Sequence, residues 1–198
     1  MNKFKEELNY LNEQGKKIGT VEREEGINKN LLLEAVQIWI INPYTNQVLM
    51  QRRSYDKGND PGMIDVSASG HVHSNETPMQ AMIREGKEEL GEEAFETLIG
   101  KIEKILDFEI DFTKEGRKGK YLAHEYIAYS KLSLDKYKKQ DEEVEELFFM
   151  DYEEVKRLIR NKNKEMRIPY NSDIEELLQI LDNEIYNKHK DNYKGVGK

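Results

Sequence analysis

GHVHSNETPMQAMIREGKEELGEE, residues 70–93, is the stretch on which the reading of this chain turns. Thr77-Pro78-Met79-Gln80 has the marks of a helix start: threonine as N-cap, proline at the first helical position, glutamine placed to close a capping box. Gly91 supplies a C-terminal stop. Between them Met79, Met82, Ile83, Gly86 and Leu90 recur at helical spacing and define a core face. Glu85, Glu88 and Glu89 fall on a different face, within an arc of roughly 100° at about 100° per residue. Arg84 stands one turn from Glu88 and can pair with it. Three carboxylates on so narrow an arc repel one another unless a cation neutralises them. Two readings compete. In a chain this rich in glutamate such a face is solvated surface; alternatively it is a site for a hard divalent ion, which takes oxygen ligands and shares carboxylates with substrate phosphates.

The spacing decides between them. The stretch fits G-x5-E-x7-R-E-x-x-E-E-x-G at Gly70, Glu76, Arg84, Glu85, Glu88, Glu89 and Gly91, and so many fixed positions leave little room for coincidence. The pattern resembles the Nudix box, the signature of hydrolases acting on a nucleoside diphosphate linked to another moiety and on related diphosphates. The resemblance implies an α/β chain folded as an α/β/α sandwich with a mixed sheet. It also implies Mg²⁺ or Mn²⁺ bound by Glu85, Glu88 and Glu89 with the Gly70 carbonyl, Arg84 orienting the glutamates, and Glu76 tying loop to helix. Catalysis is then expected of Glu88, Glu89 and Arg84, together with a base that takes the proton of an attacking water. Glu89 itself is one candidate for that base; Glu142 and Glu143, outside the box, are the others. Two positions depart from the pattern, Gly86 and Glu92, where bulky aliphatics are usual. Gly86 costs about 1 kcal/mol relative to alanine in a helix and points to close backbone packing.

A narrower likeness covers IWIINPYTNQVLMQRRSYDKGNDPGMIDVSASGHV, residues 38–72. It is similar to the branch of the superfamily that includes type I isopentenyl-diphosphate isomerase. That isomerase needs a cysteine immediately before its Gly-His pair, and this chain has Ser69. Two histidines of the isomerase's own metal site fall at Gly26 and Leu33, leaving His71 alone. A hydroxyl is a far poorer acid–base group than a thiol near neutral pH, so hydrolysis is expected over isomerisation. A non-catalytic nucleotide-binding module is the remaining alternative, and a box that keeps every charged position argues against it.

The rest of the sequence sets the frame. With 198 residues the chain suits a single domain over 1–198, with residues 1–30 as an N-terminal hairpin extension and 186–198 as a frayed tail. A net charge of −8 argues against broad nucleic-acid or membrane-surface binding. The absence of cysteine excludes disulfides and thiolate chemistry. No apolar opening segment resembles a signal peptide, so a cytoplasmic location is expected. The expected partner is a small-molecule diphosphate, not nucleic acid or membrane, and a homodimer through the hairpin stays open. Arg52 and Arg53 end a strand near the expected cleft and either hold a phosphate or are solvated. His71 and His73 flank the site as substrate contacts or as loop histidines bonded to backbone. The loop of Lys114, Arg117, Lys118 and Lys120 either grasps an anionic substrate or is a solvated hairpin tip, the second reading being favoured; His124 reads as a surface residue and Trp39 as core.

Overall fold

The computed structural model describes residues 6–194, with side chains through residue 188. The chain opens on the expected hairpin: β1 (Glu7–Leu11) and β2 (Lys17–Glu22) pair antiparallel. Gly15 takes a positive φ of 71° at their turn, which glycine adopts without steric cost. A short helix absent from the sequence reading follows, α1 (Arg23–Asn28), capped by the Glu22 side chain, which accepts from the Glu25 amide. The remaining strands are β3 (Leu32–Ile41), β4 (Gln47–Arg53), β5 (Ile64–Asp65), β6 (Ala68–His71), β7 (Glu103–Asp111), β8 (Lys120–Tyr129) and β9 (Val144–Asp151). The remaining helices are α2 (Pro78–Leu90), α3 (Glu92–Glu96), α4 (Tyr152–Arg160) and α5 (Ser172–Lys194).

These strands join one mixed sheet centred on β3. One edge of β3 pairs in parallel with β8 from Leu32 to Ile41. The other edge is divided among three antiparallel partners. β1 pairs at Leu32 and Leu33, β6 from Ala35 to Ile38, and β4 at Ile40 and Ile41. Strand alternation sorts the β3 side chains into two cores. Leu33, Trp39 and Ile41 pack with Val155, Ile159, Ile174 and Leu177 of α4 and α5. Val36, Ile38 and Ile40 pack with Ala81, Met82, Leu90 and Phe95 of α2 and α3. Helices therefore cover both faces, which explains the nearly unbroken apolar run of β3. The fold is the α/β/α sandwich.

Helix α2 starts and stops as its sequence dictates. Thr77 and Gln80 form the capping box, and Gly91 leaves the helix at a φ of 90°. Gly86 has a steric reason: a Cβ there would lie 2.2 Å from the Phe95 ring. Gly86→Ala is therefore expected to cost about 1–3 kcal/mol, the usual range for overpacking a filled core, read as a lower Tm. Adding Phe95→Leu should recover part of the loss. An unchanged Tm in the single variant would refute the contact.

Three expectations are corrected. α5 continues as helix to Lys194 instead of fraying from 186; Ile185 is buried one turn beyond Leu181, so the apolar stripe extends past the expected end. Residues 195–198 lie outside the described residues. His124 is 6% exposed, because β8 is enclosed between β3 and β7; its ring meets Asp107 at 2.7 Å and Glu34 at 3.3 Å. Arg117 is not solvated: its guanidinium lies 4.2 Å from the Phe112 ring centroid, donates to the Arg167 carbonyl and faces Asp60.

Candidate active site

β6 and α2 build the site together. Gly70 pairs with Val36 of β3, and a Cβ on it would come within 1.9 Å of the Glu85 carboxyl carbon. Only glycine lets α2 bring Glu85 against the strand. Arg84 then ties helix to loop. Its Nε and Nη2 donate to both oxygens of Glu76, at 3.2 and 2.6 Å, and Nη2 also reaches the His71 carbonyl at 2.9 Å. Nη1 donates to Glu85 at 2.7 Å and to Glu88 at 3.4 Å. Glu76 Oε1 accepts from the His73 amide as well. This bidentate geometry suits arginine and not lysine.

The three box glutamates differ in environment. Glu88 is half-exposed. Glu89 is 2% exposed, and its Oε2 accepts from the Gln51 side chain and the Ser69 amide, both at 2.9 Å. Burial raises its pKa, opposed by Lys57 and by those two hydrogen bonds. Burial, reinforced by the charge of Glu89, pushes the Glu85 carboxyl up to about 8 despite Arg84 beside it. Among the described residues no three His, Asp or Glu side chains are drawn into a closed metal cluster; Arg84 holds Glu85 and Glu88 while Glu89 turns toward β4 and β6. The donor set nevertheless fits a hard cation. The carboxyls of Glu85 and Glu89 are both raised chiefly by burial, and each keeps one oxygen free of protein hydrogen bonds among the described residues. Such groups favour an oxygen-seeking divalent ion.

A cavity of about 290 Å³ opens in front of this face, lined among others by Glu85, Glu88, Ser69, Gly70, His71 and Glu143. Of the two acids considered outside the box, Glu143 lines it and pairs with Lys57, whereas Glu142 is exposed. Burial, with Arg53 nearby, lowers the Lys57 ammonium to about 8. Arg53 lines the cavity, but its charge is committed to Asp65 at 3.5 Å and to the carbonyls of Asn59 and Asp60. Arg52 does not line it; its guanidinium donates to the Gly62 carbonyl. His71 and His73 are bound by a side chain rather than by backbone, since Glu6 lies 3.3 Å from a ring nitrogen of each. Ser69 Oγ donates to Asp65 Oδ2 at 3.2 Å.

Sequence reasoning missed Lys57, Gln51, Glu6, Arg23 and Arg167. For Lys57 a signal existed: it sits in a loop running into the strands before the box. Gln51 had one too, since it interrupts the apolar alternation of β4. Glu6, Arg23 and Arg167 come from distant segments and carry no local signal.

The model of the NUDIX domain matches residues 31–170, and the chain belongs to that family. Nudix hydrolase 3 of Arabidopsis thaliana is 27% identical over 183 residues, covering 89% of this chain and 23% of its own length. The chain thus spans about a quarter of that relative. An isopentenyl-diphosphate Delta-isomerase of Salmonella paratyphi B is 37% identical over 89 residues, 44% of this chain and 49% of the isomerase, in keeping with the narrower likeness. Among solved structures, a Deinococcus radiodurans protein superposes with a TM-score of 0.63 at 22% identity, covering 88% of this chain and 98% of that one. A bifunctional NMN adenylyltransferase/ADP ribose pyrophosphatase of Francisella tularensis, complexed with AMP and a manganese ion, gives 0.55 at 20% identity, covering 78% and 42%. No helix among the described residues is long and apolar enough to cross a membrane.

Proposed function

We propose that the chain hydrolyses a diphosphate bond in a nucleoside diphosphate derivative or a related small diphosphate, with Mg²⁺ or Mn²⁺ as cofactor. Glu85, Glu88 and Glu89 would hold the ion, with the Gly70 carbonyl beside them. The observation that carries this reading is the pair Glu85 and Glu89, whose carboxyls are both raised chiefly by burial: Glu85 lines the cavity, and Glu89, 2% exposed, stands one helical turn from it. A divalent cation bound there neutralises phosphate oxygens and makes a water more acidic. Arg84 fixes the angles of Glu85 and Glu88. Glu143, paired with Lys57 in the cavity lining, would receive the proton of the attacking water, whereas Glu89 does not line that cavity. Lys57 faces the same cavity and suits the leaving phosphate.

Isomerisation gains no support from the geometry: the Ser69 hydroxyl is held by Asp65. The test is incubation with Mg²⁺ and a panel of ADP-ribose, nucleotide sugars, dinucleoside polyphosphates, coenzyme A and isopentenyl diphosphate. Metal-dependent release of phosphate or nucleoside monophosphate is expected, and it should stop on chelation. Binding without turnover across the panel would refute hydrolysis, and dimethylallyl product would establish the isomerase.

A further inference from the structure

The cavity has a second end, away from the acidic helix. Along β3, Gly70 stands level with Val36 and Lys120 with Leu32, four residues or about 13 Å apart. Lys118 and Tyr121 line the cavity toward this end with the floor residues Ile110 and Phe112, whereas Arg23 lies beside Glu6 at the His71 end. Arg23 belongs to the N-terminal extension, outside the matched domain.

Three observations single out this end. Tyr121 is 6% exposed and lines the cavity, and its hydroxyl, which is not sealed from solvent, makes no hydrogen bond among the described residues. That hydroxyl lies over Gly119 so closely that a Cβ there would come within 2.4 Å of it. Among the described residues the ammonium of the exposed Lys118 meets only a neutral amide oxygen, Asn28 Oδ1 at 3.3 Å, whereas Arg53 and Arg167 are committed to Asp65 and Asp60. Arg23 is likewise committed, donating to Glu6 at 2.9 Å.

Among the described residues the two rings at this end, Phe112 and Tyr121, already meet other groups. Phe112 carries the Arg117 and Arg167 guanidinium groups 4.2 and 4.8 Å from its centroid. Tyr121 is flanked by His71 and by the edge of Phe112. Recognition at this end therefore runs through charge and a hydroxyl donor rather than stacking.

We infer that Lys118 and the Tyr121 hydroxyl form an anion subsite, and that the substrate is a diphosphate carrying a second anionic group at its other end. The substrate assignment rests on the hydrolase reading; the subsite does not. Two measurements keep them apart. In EDTA, where the acidic helix repels anions, calorimetric titration should show ribose 5-phosphate binding at least tenfold tighter than ribose. Lys118→Ala should weaken it about fivefold and Tyr121→Phe about threefold, while Lys114→Ala on the same loop leaves it unchanged. With Mg²⁺, 5-phosphoribosyl 1-diphosphate should show a KM at least tenfold below that of isopentenyl diphosphate, and Lys118→Ala should remove most of that difference. Equal binding of ribose and its phosphate, or binding indifferent to Lys118, overturns the subsite. Equal KM values with turnover intact overturn the substrate class and leave the hydrolase standing. Lys118-dependent phosphate binding without cleavage of any diphosphate upholds the subsite and overturns the hydrolase.

Discussion

Glu89→Gln is expected to lose at least about a hundredfold in kcat, the scale on which electrostatic and metal-holding groups act, and yet to melt higher than the parent in EDTA at pH 8.5. The two effects have one cause. Glu85 and Glu89 are buried, and both carboxyls are raised chiefly by that burial, with Glu89's charge adding to the shift at Glu85. Without a cation, ionising both opposes folding. Glutamine keeps the acceptor for Gln51 and Ser69 while deleting one of the charges, so folding gains what the site loses. Glu85→Gln should behave alike. Kinetic assays paired with thermal melts decide the matter. A variant that melts lower in EDTA and still turns over would show Glu89 to be an ordinary structural acid.

Glu125→Gln tests a second buried carboxyl, one that lies outside the box. Glu125 is fully buried on β8, where Trp39 Nε1 donates to its Oε2 at 2.9 Å and Oε1 has no partner. Burial raises its carboxyl to about 8, against the smaller opposing effect of the Trp39 hydrogen bond. Because the folded value lies above the unfolded one, near 4.5, the native state holds the extra proton between them. Stability from this group is full below about pH 4.5 and is lost as pH rises through about 8. At 1.36 kcal/mol per pKa unit, the loss is on the order of a few kcal/mol. Glutamine mimics the neutral acid and does not titrate. The variant should match the parent near pH 5 and exceed its Tm by several degrees at pH 8.5, with Trp39 fluorescence as a local report. Parallel pH profiles for the two proteins would rule out the buried proton.

The box was legible because its chemistry is local. Seven positions within 22 residues lie on one loop and one helix, so spacing alone brings Arg84 to Glu76, Glu85 and Glu88. β3 was legible too, since a strand covered by helices on both faces must be apolar throughout. The errors fall where tertiary enclosure overrides the local pattern. His124 and Arg117 look like surface residues until β7, Phe112 and Asp60 surround them. Glu125 did leave a trace: with Tyr121, Ala123 and Ile127 it occupies the apolar phase of β8, where a charge is out of place. α1 is too short to show a period, and its one clear sign, Gly26 beneath Leu33 and Val21, depends on packing that no spacing encodes.

The divided edge of β3 ties chemistry to architecture. A slip of one residue in its pairing would turn every side chain to the opposite face and displace the hairpin, the glycine strand and β4 at once. The binding groups thus have no independent scaffold that could loosen while the remainder holds. Any working copy must already be correctly threaded from its first hairpin to β9, so catalysis here serves as a proofreader of the whole sheet.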